Sequence, residues 1–290
     1  MIKATKGEKA FDFLNIIVLL LLGLCTLYPF MYVLTISLST PAEAARVSLH
    51  FFPRAPTFEA YAKIVEHPML WQAYGNTIIR TALGVVLVII VLSMVAYPLS
   101  RRTFPHRKFI TFLFVFSMLF SGGLIPSYLL IKQLYLIDTV WALVLPGAVS
   151  AFNVIILRNF FEAIPMEIIE SARMDGAREL TIFMRIMLPL SVPVLAVLSL
   201  WTAVGHWNAW FDALIYINDP AKQVLQLFLR RTVLENASLT PGETLLDPSH
   251  YTPETLKAAT IMIVSLPILF VYPFIQRFFV KGIMLGSVKG

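Results

Sequence analysis

The chain has 290 residues, of which 58% are hydrophobic and only 14% are charged, and its mean hydropathy is +0.77. A soluble domain usually carries about a quarter charged residues, so this composition argues against a soluble fold. The single cysteine, Cys25, excludes an intrachain disulfide and a thiolate metal cluster. The net charge of +6 is spread between apolar stretches, which points to lipid and membrane topology rather than to nucleic acid.

Six apolar stretches are long enough to cross a hydrocarbon core of about 30 Å. They lack the alternating pattern of barrel strands, so we predict helices, because backbone amides in lipid must be satisfied within each segment. The predicted spans cover approximately residues 14–38, 76–100, 109–131, 139–157, 189–207 and 258–280. The predicted fold class is therefore all-α: a polytopic membrane protein in which residues 1–290 form a single transmembrane domain.

Lysine and arginine residues predict the orientation, because they are retained on the cytoplasmic side of a membrane. They cluster at the N-terminus, between spans two and three, between spans four and five, and in the tail. We therefore expect both termini in the cytoplasm. The two long outer segments, residues 39–75 and 208–257, should lie on the opposite side. In the second of them we expect a short surface helix at 224–234 and irregular structure at 240–253.

The connection between spans four and five, residues 162–186, does not have the composition of a lipid-facing segment. Pro165 suits the first position of a helix, and Glu167 and Glu170 favour its positive N-terminal end. The apolar side of this helix consists of Ile168, Ile169, Ala172 and Met174. Gly176 permits the left-handed turn that ends the helix. We predict an amphipathic helix on the cytoplasmic surface, whose apolar side either lies among lipid headgroups or docks into a groove of a partner.

The same connection carries a family resemblance. Glu170-Ser171-Ala172, then three residues, Gly176, nine residues, Ile186, one residue and Leu188-Pro189 resembles the E-A-A-x3-G-x9-I-x-L-P signature of permease subunits in binding-protein-dependent ABC importers. One position departs from it, since Ser171 stands where alanine is usual. The resemblance extends to most of the chain and is to the carbohydrate branch, the group of the maltose permeases. The run from Trp207 to Ala213 resembles the oligosaccharide and polysaccharide permeases in particular.

This resemblance implies the fold of a type I importer permease with six transmembrane helices, in which residues 162–186 contain a cytoplasmic coupling helix. It assigns Glu170, Ser171, Ala172 and Gly176 to coupling with an ATPase, and we add Arg173 and Asp175 as their neighbours. It also implies a bacterial cytoplasmic membrane, a second homologous permease subunit, two ATPase subunits and an extracytoplasmic solute-binding protein. The sequence contains no G-x-x-x-x-G-K-[ST] loop, so we expect no cofactor on this chain, and ATP and Mg²⁺ on the ATPase partners.

Polar and aromatic side chains around the outer part of span five predict a path for a sugar. Sugars offer flat C–H faces and a rim of hydroxyl groups, which aromatic planes and amide or carboxylate groups recognise. The candidates are Trp201, His206, Trp207, Asn208, Trp210 and Asp212, with Asn76, Arg80 and Asn153 from other spans. A tryptophan belt at the membrane interface is the alternative for each Trp, and hydrogen bonding between helices is the alternative for each Asn.

Arg80 would be costly facing lipid, so it should face a cavity or extend outward to the interface. If it faces a cavity, an acidic, uronate-type oligosaccharide such as an alginate or pectin fragment becomes the hypothesis. An ion-coupled secondary transporter is the alternative of a different class, and its candidate groups, Asp138, His206 and Asp212, lie near span ends. An uncoupled membrane scaffold is a third. The main prediction is a non-enzymatic subunit of an ATP-driven oligosaccharide importer.

Overall fold

The computed structural model describes residues 6–46, 51–234 and 252–287, and side chains up to residue 270 apart from Lys6 and Ala10. Within these residues the regular elements are helices, with one isolated antiparallel bridge between Ser39 and Pro56. The all-α prediction is confirmed. The α-helices are α1 (Lys6–Ser37), α2 (Pro41–Ala44), α3 (Glu59–Val65), α4 (Pro68–Ser100), α5 (Arg107–Leu119), α6 (Leu124–Gln133), α7 (Val140–Val144), α8 (Ala151–Ala163), α9 (Met166–Met174), α10 (Glu179–Ile182), α11 (Leu188–Leu190), α12 (Val192–Asn208), α13 (Phe211–Tyr216), α14 (Leu225–Leu234) and α15 (Pro253–Ser287).

Three helices are long and apolar enough to cross a membrane by themselves: Gly7–Ser37, Pro68–Ser100 and Pro253–Phe270. Three bent pairs pass the same criterion together, namely α5 with α6, α7 and its continuation with α8, and Glu179–Leu190 with α12. The described part of the chain therefore has three spanning helices, or up to six if each bent pair is one span. The predicted count of six stays a prediction.

Each bend has a local cause in the sequence. The 113° break between α5 and α6 contains Gly123, whose φ of +86° is favourable only for glycine. The 52° break before α8 follows a 3-10 turn that contains Pro146. The 77° break before α12 lies among Pro189 and Pro193, whose missing amide donors interrupt helical hydrogen bonding, and it follows a π-helical turn at Phe183–Met187.

The chain divides into two compact units, Met1–Leu70 with Leu229–Pro267, and Trp71–Phe228 with Ile268–Gly290. In the first unit, α1 exposes its apolar side chains along most of its length, as a lipid-facing helix does. The segment after it is held by Glu43, a buried carboxylate that accepts hydrogen bonds from the backbone amides of Arg54 (2.6 Å) and Ala55 (3.2 Å).

The second unit contains two hydrophobic clusters. One joins α4, α8, α12 and the α9–α10 region, and its buried members are Leu92, Ala96, Leu99, Val154, Leu157, Phe161, Ile164, Ile169, Ile182, Phe183, Met187 and Leu198. The other joins α6, α7, α13 and the start of α14, and its buried members are Ile131, Ala142, Leu143, Ala213, Tyr216, Ile217, Val224 and Leu227. A cavity lies within this unit and is lined by residues of both regions.

The outer segment after span five agrees with its prediction where it is described. The surface helix predicted at 224–234 is α14, Leu225–Leu234. Of the irregular segment predicted at 240–253, residues 240–251 lie outside the described residues, and α15 begins at Pro253.

Candidate functional site

The cavity of the second unit has a volume of about 420 Å³. This is within the range of about 300–1,000 Å³ that small-molecule sites usually show. Its walls come from α4, α7 and the turn after it, α8, α12 and α13. The lining residues are Arg80, Val88, Ala142, Leu143, Pro146, Gly147, Asn153, Trp201, Thr202, Gly205, His206, Ala209, Asp212 and Tyr216. The cavity therefore combines an apolar floor with a few polar groups.

Arg80 is the most deeply buried charged group of this cavity, with 2% of its side chain exposed. It lies on α4, and its guanidinium is bound entirely by the segment that ends α12 and begins α13. Nη2 donates to Asp212 Oδ2 in an ion pair, Nη1 donates to the Ala209 carbonyl at 3.2 Å, and Nε donates to His206 Nδ1 at 3.4 Å. Of the two alternatives for Arg80, facing a cavity or extending outward to the interface, the structure has the first. Its charge is paired with that of Asp212, which the sequence did not indicate.

The two carboxylate oxygens of Asp212 accept hydrogen bonds from different donors. Oδ1 accepts the backbone amide of Ala213 at 2.9 Å, and Oδ2 binds Arg80. Ala209 is extended and Trp210 has φ −133°, so the helical backbone is interrupted between α12 and α13. With 29% of its side chain exposed, Asp212 is the more accessible partner of the pair.

Gly84 lies one helical turn after Arg80 on α4, and the His206 ring packs directly against it. A Cβ at position 84 would come within 2.2 Å of His206 Nε2 and 2.4 Å of Cδ2. Glycine is therefore required at this position if the imidazole is to lie beside Arg80. Gly84 could not be predicted as part of the site, because nothing in its local sequence marks a close approach.

Trp201 supplies an aromatic plane to the cavity. Its ring stacks on Phe152 with centroids 6.4 Å apart and an interplanar angle of 21°, and 43% of the residue is exposed. Asn153, on the first turn of α8 where Ser150 caps the helix, lines the same cavity. Trp201, Asn153, Arg80 and Asp212 are thus brought together, as the sugar-path prediction requires of them.

Four other predicted path residues do not line this cavity. Asn76 Nδ2 donates to the carbonyls of Ala221 (2.8 Å) and Gln223 (3.0 Å), which is the hydrogen-bonding alternative considered for it. Trp207 packs edge-on against Tyr74, with centroids 6.5 Å apart. Trp210 packs on the cluster around α7 and α13, and Asn208 is an exposed residue at the end of α12. The sequence grouped Trp207, Asn208 and Trp210 with the lining residues by proximity along the chain, and the structure does not bring them to the cavity.

Thr202, Gly205 and Tyr216 also line the cavity, and the sequence did not predict them as path residues. Thr202 and Gly205 lie on α12 one and four residues after Trp201, so they lie near one helical face, a signal that was available. Tyr216 comes from α13, whose position depends on the turn at Ala209, and no local pattern predicts it.

The predicted amphipathic helix is α9, Met166–Met174, with Pro165 as its N-cap rather than its first helical residue. Its C-terminus closes as predicted. Gly176 has φ +81°, its amide donates to the Arg173 carbonyl, and the Ala177 amide donates to the Ala172 carbonyl, both at 3.0 Å. These two bonds define a Schellman motif, in which glycine is strongly preferred.

The apolar side of α9 is divided between two environments. Ile169 is fully buried in the hydrophobic cluster that joins α4, α8 and α12, and Ala172 packs against the same cluster. The chain itself therefore covers part of a face that we expected lipid or a partner to cover. Ile168 and Met174 are exposed, at 40% and 89%. Glu170 and Asp175 are exposed as well.

Glu179 ties α9 to α4. Its Oε1 accepts Arg173 Nη2 at 2.5 Å and Nε at 3.0 Å, and its Oε2 accepts the Tyr97 hydroxyl at 2.6 Å. The Tyr97 ring packs on Phe183 at 4.9 Å and lies under the guanidinium of Arg101, 4.5 Å from its centroid. Arg173, predicted as a coupling residue, is therefore held within its own chain. Ser171 donates to the Ile168 carbonyl at 3.1 Å, inside the same helix.

Comparison with known proteins identifies this architecture. Residues 83–285 match the family described as "Binding-protein-dependent transport system inner membrane component". The chain belongs to this family. It is accordingly a multi-pass membrane component of an ABC importer, a permease subunit with no enzymatic activity of its own. The family resemblance that the Glu170 to Pro189 signature indicated is confirmed.

Individual relatives cover nearly the whole permease. Protein LplC of Bacillus subtilis (strain 168) is 45% identical over 99% of this chain and 97% of its own. The polygalacturonan/rhamnogalacturonan transport system permease protein YtcP of the same strain is 40% identical over 98% of this chain and 99% of its own.

Among solved structures, the permease resembles a chain of a bacterial ABC transporter involved in the import of the acidic polysaccharide alginate. The TM-score is 0.90 at 32% identity, covering 96% of this chain and 100% of that one. The type I importer permease fold implied by the resemblance is therefore confirmed. These comparisons do not favour the ion-coupled alternative.

Proposed function

We propose that this permease carries acidic, uronate-containing oligosaccharides across the bacterial cytoplasmic membrane. The observation that carries the proposal is the full-length likeness to a chain of an alginate importer, with a TM-score of 0.90, together with a relative named for polygalacturonan and rhamnogalacturonan transport. The cavity supports it chemically, because it offers an aromatic plane at Trp201, an amide at Asn153 and a cation at Arg80.

The partners follow from the family and from its named members. We infer that residues 1–290 act as one transmembrane domain with a second homologous permease subunit, two ATPase subunits that bind ATP and Mg²⁺, and an extracytoplasmic solute-binding protein. We further infer six crossings with both termini in the cytoplasm, from the distribution of lysine and arginine. In this orientation α9 lies on the ATPase side.

We infer that α9 is the coupling helix. Its exposed residues Glu170, Met174 and Asp175 form the surface offered to the ATPase, while buried Ile169 and the Arg173–Glu179 ion pair transmit displacement to the spanning helices. Ala172 lets α9 pack closely on the cluster, and exposed Ser171 lies beside Glu170 on the surface offered to the ATPase. ATP-driven closure would then move residues 170–176 as one body.

The coupling assignment is tested by Gly176→Ala. Position 176 has space for a methyl group, so the cost is that of a left-handed backbone, about 1–2 kcal/mol. We expect more ATP hydrolysed per sugar transported by the reconstituted importer. Gly75→Ala is the matched control, because a Cβ there also meets nothing within 4 Å and α4 is an ordinary helix. An unchanged ratio in Gly176→Ala would contradict the assignment.

The substrate is tested by uptake into proteoliposomes that contain the complete importer and its binding protein. Trigalacturonate and a trimannuronate fragment of alginate should be accumulated with ATP, and maltotriose should not. Uptake of maltotriose alone would place the permease with neutral-sugar importers and overturn the acidic substrate.

A further inference from the structure

We propose that Arg80 is a specificity-determining residue that binds the carboxylate of a transported uronate, and that Asp212 occupies the position of that carboxylate in the conformation described here. This inference rests on the proposed function. It assigns to one ion pair the distinction between acidic sugars and their neutral counterparts, which the resemblance to other permeases does not provide.

The first argument is the hydrogen bonding of the guanidinium. Arginine has five N–H donors in a planar fork that matches a carboxylate held by two parallel bonds. Arg80 uses one donor on each nitrogen, toward His206, Ala209 and Asp212. Its bond to Asp212 is made through one oxygen, because the other oxygen is bound to the Ala213 amide. Asp212 therefore does not form the two parallel bonds that the guanidinium can donate. A ligand carboxylate that offers both oxygens is a better match.

The second argument is accessibility. Both members of the pair line the cavity, yet Asp212 is 29% exposed and Arg80 only 2%. Asp212 is consequently the member that a solute in the cavity meets first. It is also the member whose departure uncovers the other. His206 lies in the last turn of α12, Ala209 in the connection and Asp212 in the first turn of α13. The three partners of Arg80 thus lie within seven consecutive residues, and one movement of this stretch releases all of them.

The third argument is electrostatic. Removing the partner of a buried charge is strongly destabilising, so Arg80 requires an anion beside it. Exchange of one carboxylate for another keeps the guanidinium paired throughout. The displaced Asp212 remains nearby and repels the bound uronate, which keeps the complex short-lived. A transport path requires this balance, since a solute must both enter and leave its sites.

A neutral sugar has no carboxylate and therefore cannot replace Asp212 beside Arg80. Asp212 accepts hydrogen bonds from its hydroxyl groups, and the Arg80–Asp212 pair stays intact. The same cavity thus distinguishes a uronate from its methyl ester by whether the pair opens. Trp201 provides a face for either sugar and does not contribute to this distinction.

The test compares uptake of trigalacturonate with uptake of its methyl ester by the complete importer in proteoliposomes. The binding protein is the same in every assay, so a change in the acid-to-ester ratio relative to wild type reports on this chain. Asp212→Asn removes the competing carboxylate, and we expect the ratio to rise about threefold or more. The pair of changes Arg80→Gln with Asp212→Asn removes both charges, and we expect the ratio to fall about tenfold, the effect of losing a charged hydrogen bond.

The matched control is Arg107→Gln with Glu162→Gln, which neutralises an ion pair of the same unit that does not line the cavity. Its ratio should equal that of wild type. A purely structural role for Arg80 predicts that both cavity variants lose acid and ester uptake equally, and that result overturns the inference. If the doubly changed protein does not reach the membrane, Asp212→Asn decides alone, and a ratio that does not rise overturns the inference.

The two proposals fail in different ways. Wild-type uptake of trigalacturonate with a ratio that does not move in either cavity variant overturns the role of Arg80 and leaves the substrate assignment standing. Absence of wild-type uptake of both acid and ester, with uptake of maltotriose, overturns the substrate and with it this inference.

Discussion

At the scale of single residues, the contact between Gly84 and His206 places an imidazole beside the Arg80 guanidinium. The imidazole fills the space that a side chain at position 84 would take, and its Nδ1 then accepts the Nε–H of Arg80. An acceptor at Nδ1 requires the unprotonated nitrogen. A glycine on one helix therefore places a neutral histidine of another beside a buried cation.

Gly84→Ala should displace that histidine. The new methyl group would overlap the ring, so His206 must rotate away, and an overpacked site of this kind costs about 1–3 kcal/mol. We expect reduced uptake with a small loss of thermal stability of the importer. Gly75→Ala, nine residues earlier on the same helix, should leave both unchanged.

Relief of the overlap provides a further control. Gly84→Ala combined with His206→Ala removes the ring that the methyl group strikes. Thermal stability should return toward that of His206→Ala alone. If the combined variant is less stable than either single variant, the contact is not the cause of the defect.

At the scale of elements, α9 is attached to the membrane-embedded part of its unit by one polar junction and one apolar one. Glu179 connects Arg173 of α9 with Tyr97 of α4, and Ile169 is inserted into the cluster beneath. An exposed ion pair contributes little stability, about 1 kcal/mol or less. Under the proposed coupling role, a displacement of α9 would reach α4 through Glu179, which bonds to both helices.

Tyr97→Phe should loosen this junction without removing the ring. The phenyl group keeps its packing on Phe183 and loses only the hydroxyl that binds Glu179. We expect thermal stability within about 1 kcal/mol of wild type and more ATP hydrolysed per sugar transported. Tyr128→Phe, on α6 in the same unit, is the matched control and should transport normally. Equal coupling in both variants would exclude a role for the junction.

A second element-scale feature is the turn before α7, where Asp138 adopts φ +60°. Its carboxylate accepts the backbone amides of Asn218 (2.6 Å) and Asp219 (2.9 Å) and the Asn218 side-chain amide (3.1 Å). The hydrogen bond from the Asp219 backbone amide, aided by those from Asn218 and by the charge of Lys222, holds the pKa of Asp138 below its ordinary value. Desolvation acts in the opposite direction. The ionised form therefore ties α7 to the chain after α13.

The stability contributed by Asp138 should depend on pH. Because its folded-state pKa is lowered, the contribution is fully present above the unfolded pKa of about 4 and is lost as the pH falls through the folded value. Asp138→Asn should reduce the free energy of unfolding of the importer at pH 7 by about 1–2 kcal/mol, which a lower melting temperature would report. The difference from wild type should shrink as the pH is lowered from 5 to about 3. A difference that is constant with pH would contradict this account.

At the scale of the whole molecule, the exposed surface is apolar where a soluble protein would be polar. Exposed large side chains run along α1, α5 and α6, and include Phe112, Phe116 and Phe120 in successive turns. Such surface is stable only in lipid or against another membrane subunit. The charged exposed residues of the second unit, by contrast, gather around α9 and in the turns between helices.

The proposed orientation can be tested with cysteine labelling. Cys25 is the single cysteine, so Cys25→Ser gives a cysteine-free background. A cysteine introduced by Ala221→Cys should react with a membrane-impermeant maleimide in intact spheroplasts, and one introduced by Asp175→Cys should react only after permeabilisation. Both wild-type residues are exposed, so protection would reflect the membrane and not burial. The opposite labelling pattern would reverse the topology.

The sequence by itself determined the features that depend on local chemistry. Hydrocarbon-length apolar runs require helices, the Glu170 to Pro189 signature identifies the family, and Gly176 specifies the left-handed end of α9. The position of Arg80 in an apolar stretch limited it to a cavity or the membrane interface, and the sequence did not choose between these two. These properties follow from segments of about 20 residues or fewer, in which backbone hydrogen bonding and the solvent set the outcome.

Tertiary structure alone decided the partners. Arg80 and Asp212 are separated by 132 residues along the chain, Tyr97 and Glu179 by 82, and Asp138 and Asn218 by 80. Trp207, Asn208 and Trp210 were grouped with Asp212 because they are neighbours in sequence, but only Asp212 of these four lines the cavity. A buried charge must find an opposite charge wherever the fold supplies one, and short-range patterns carry no record of that choice.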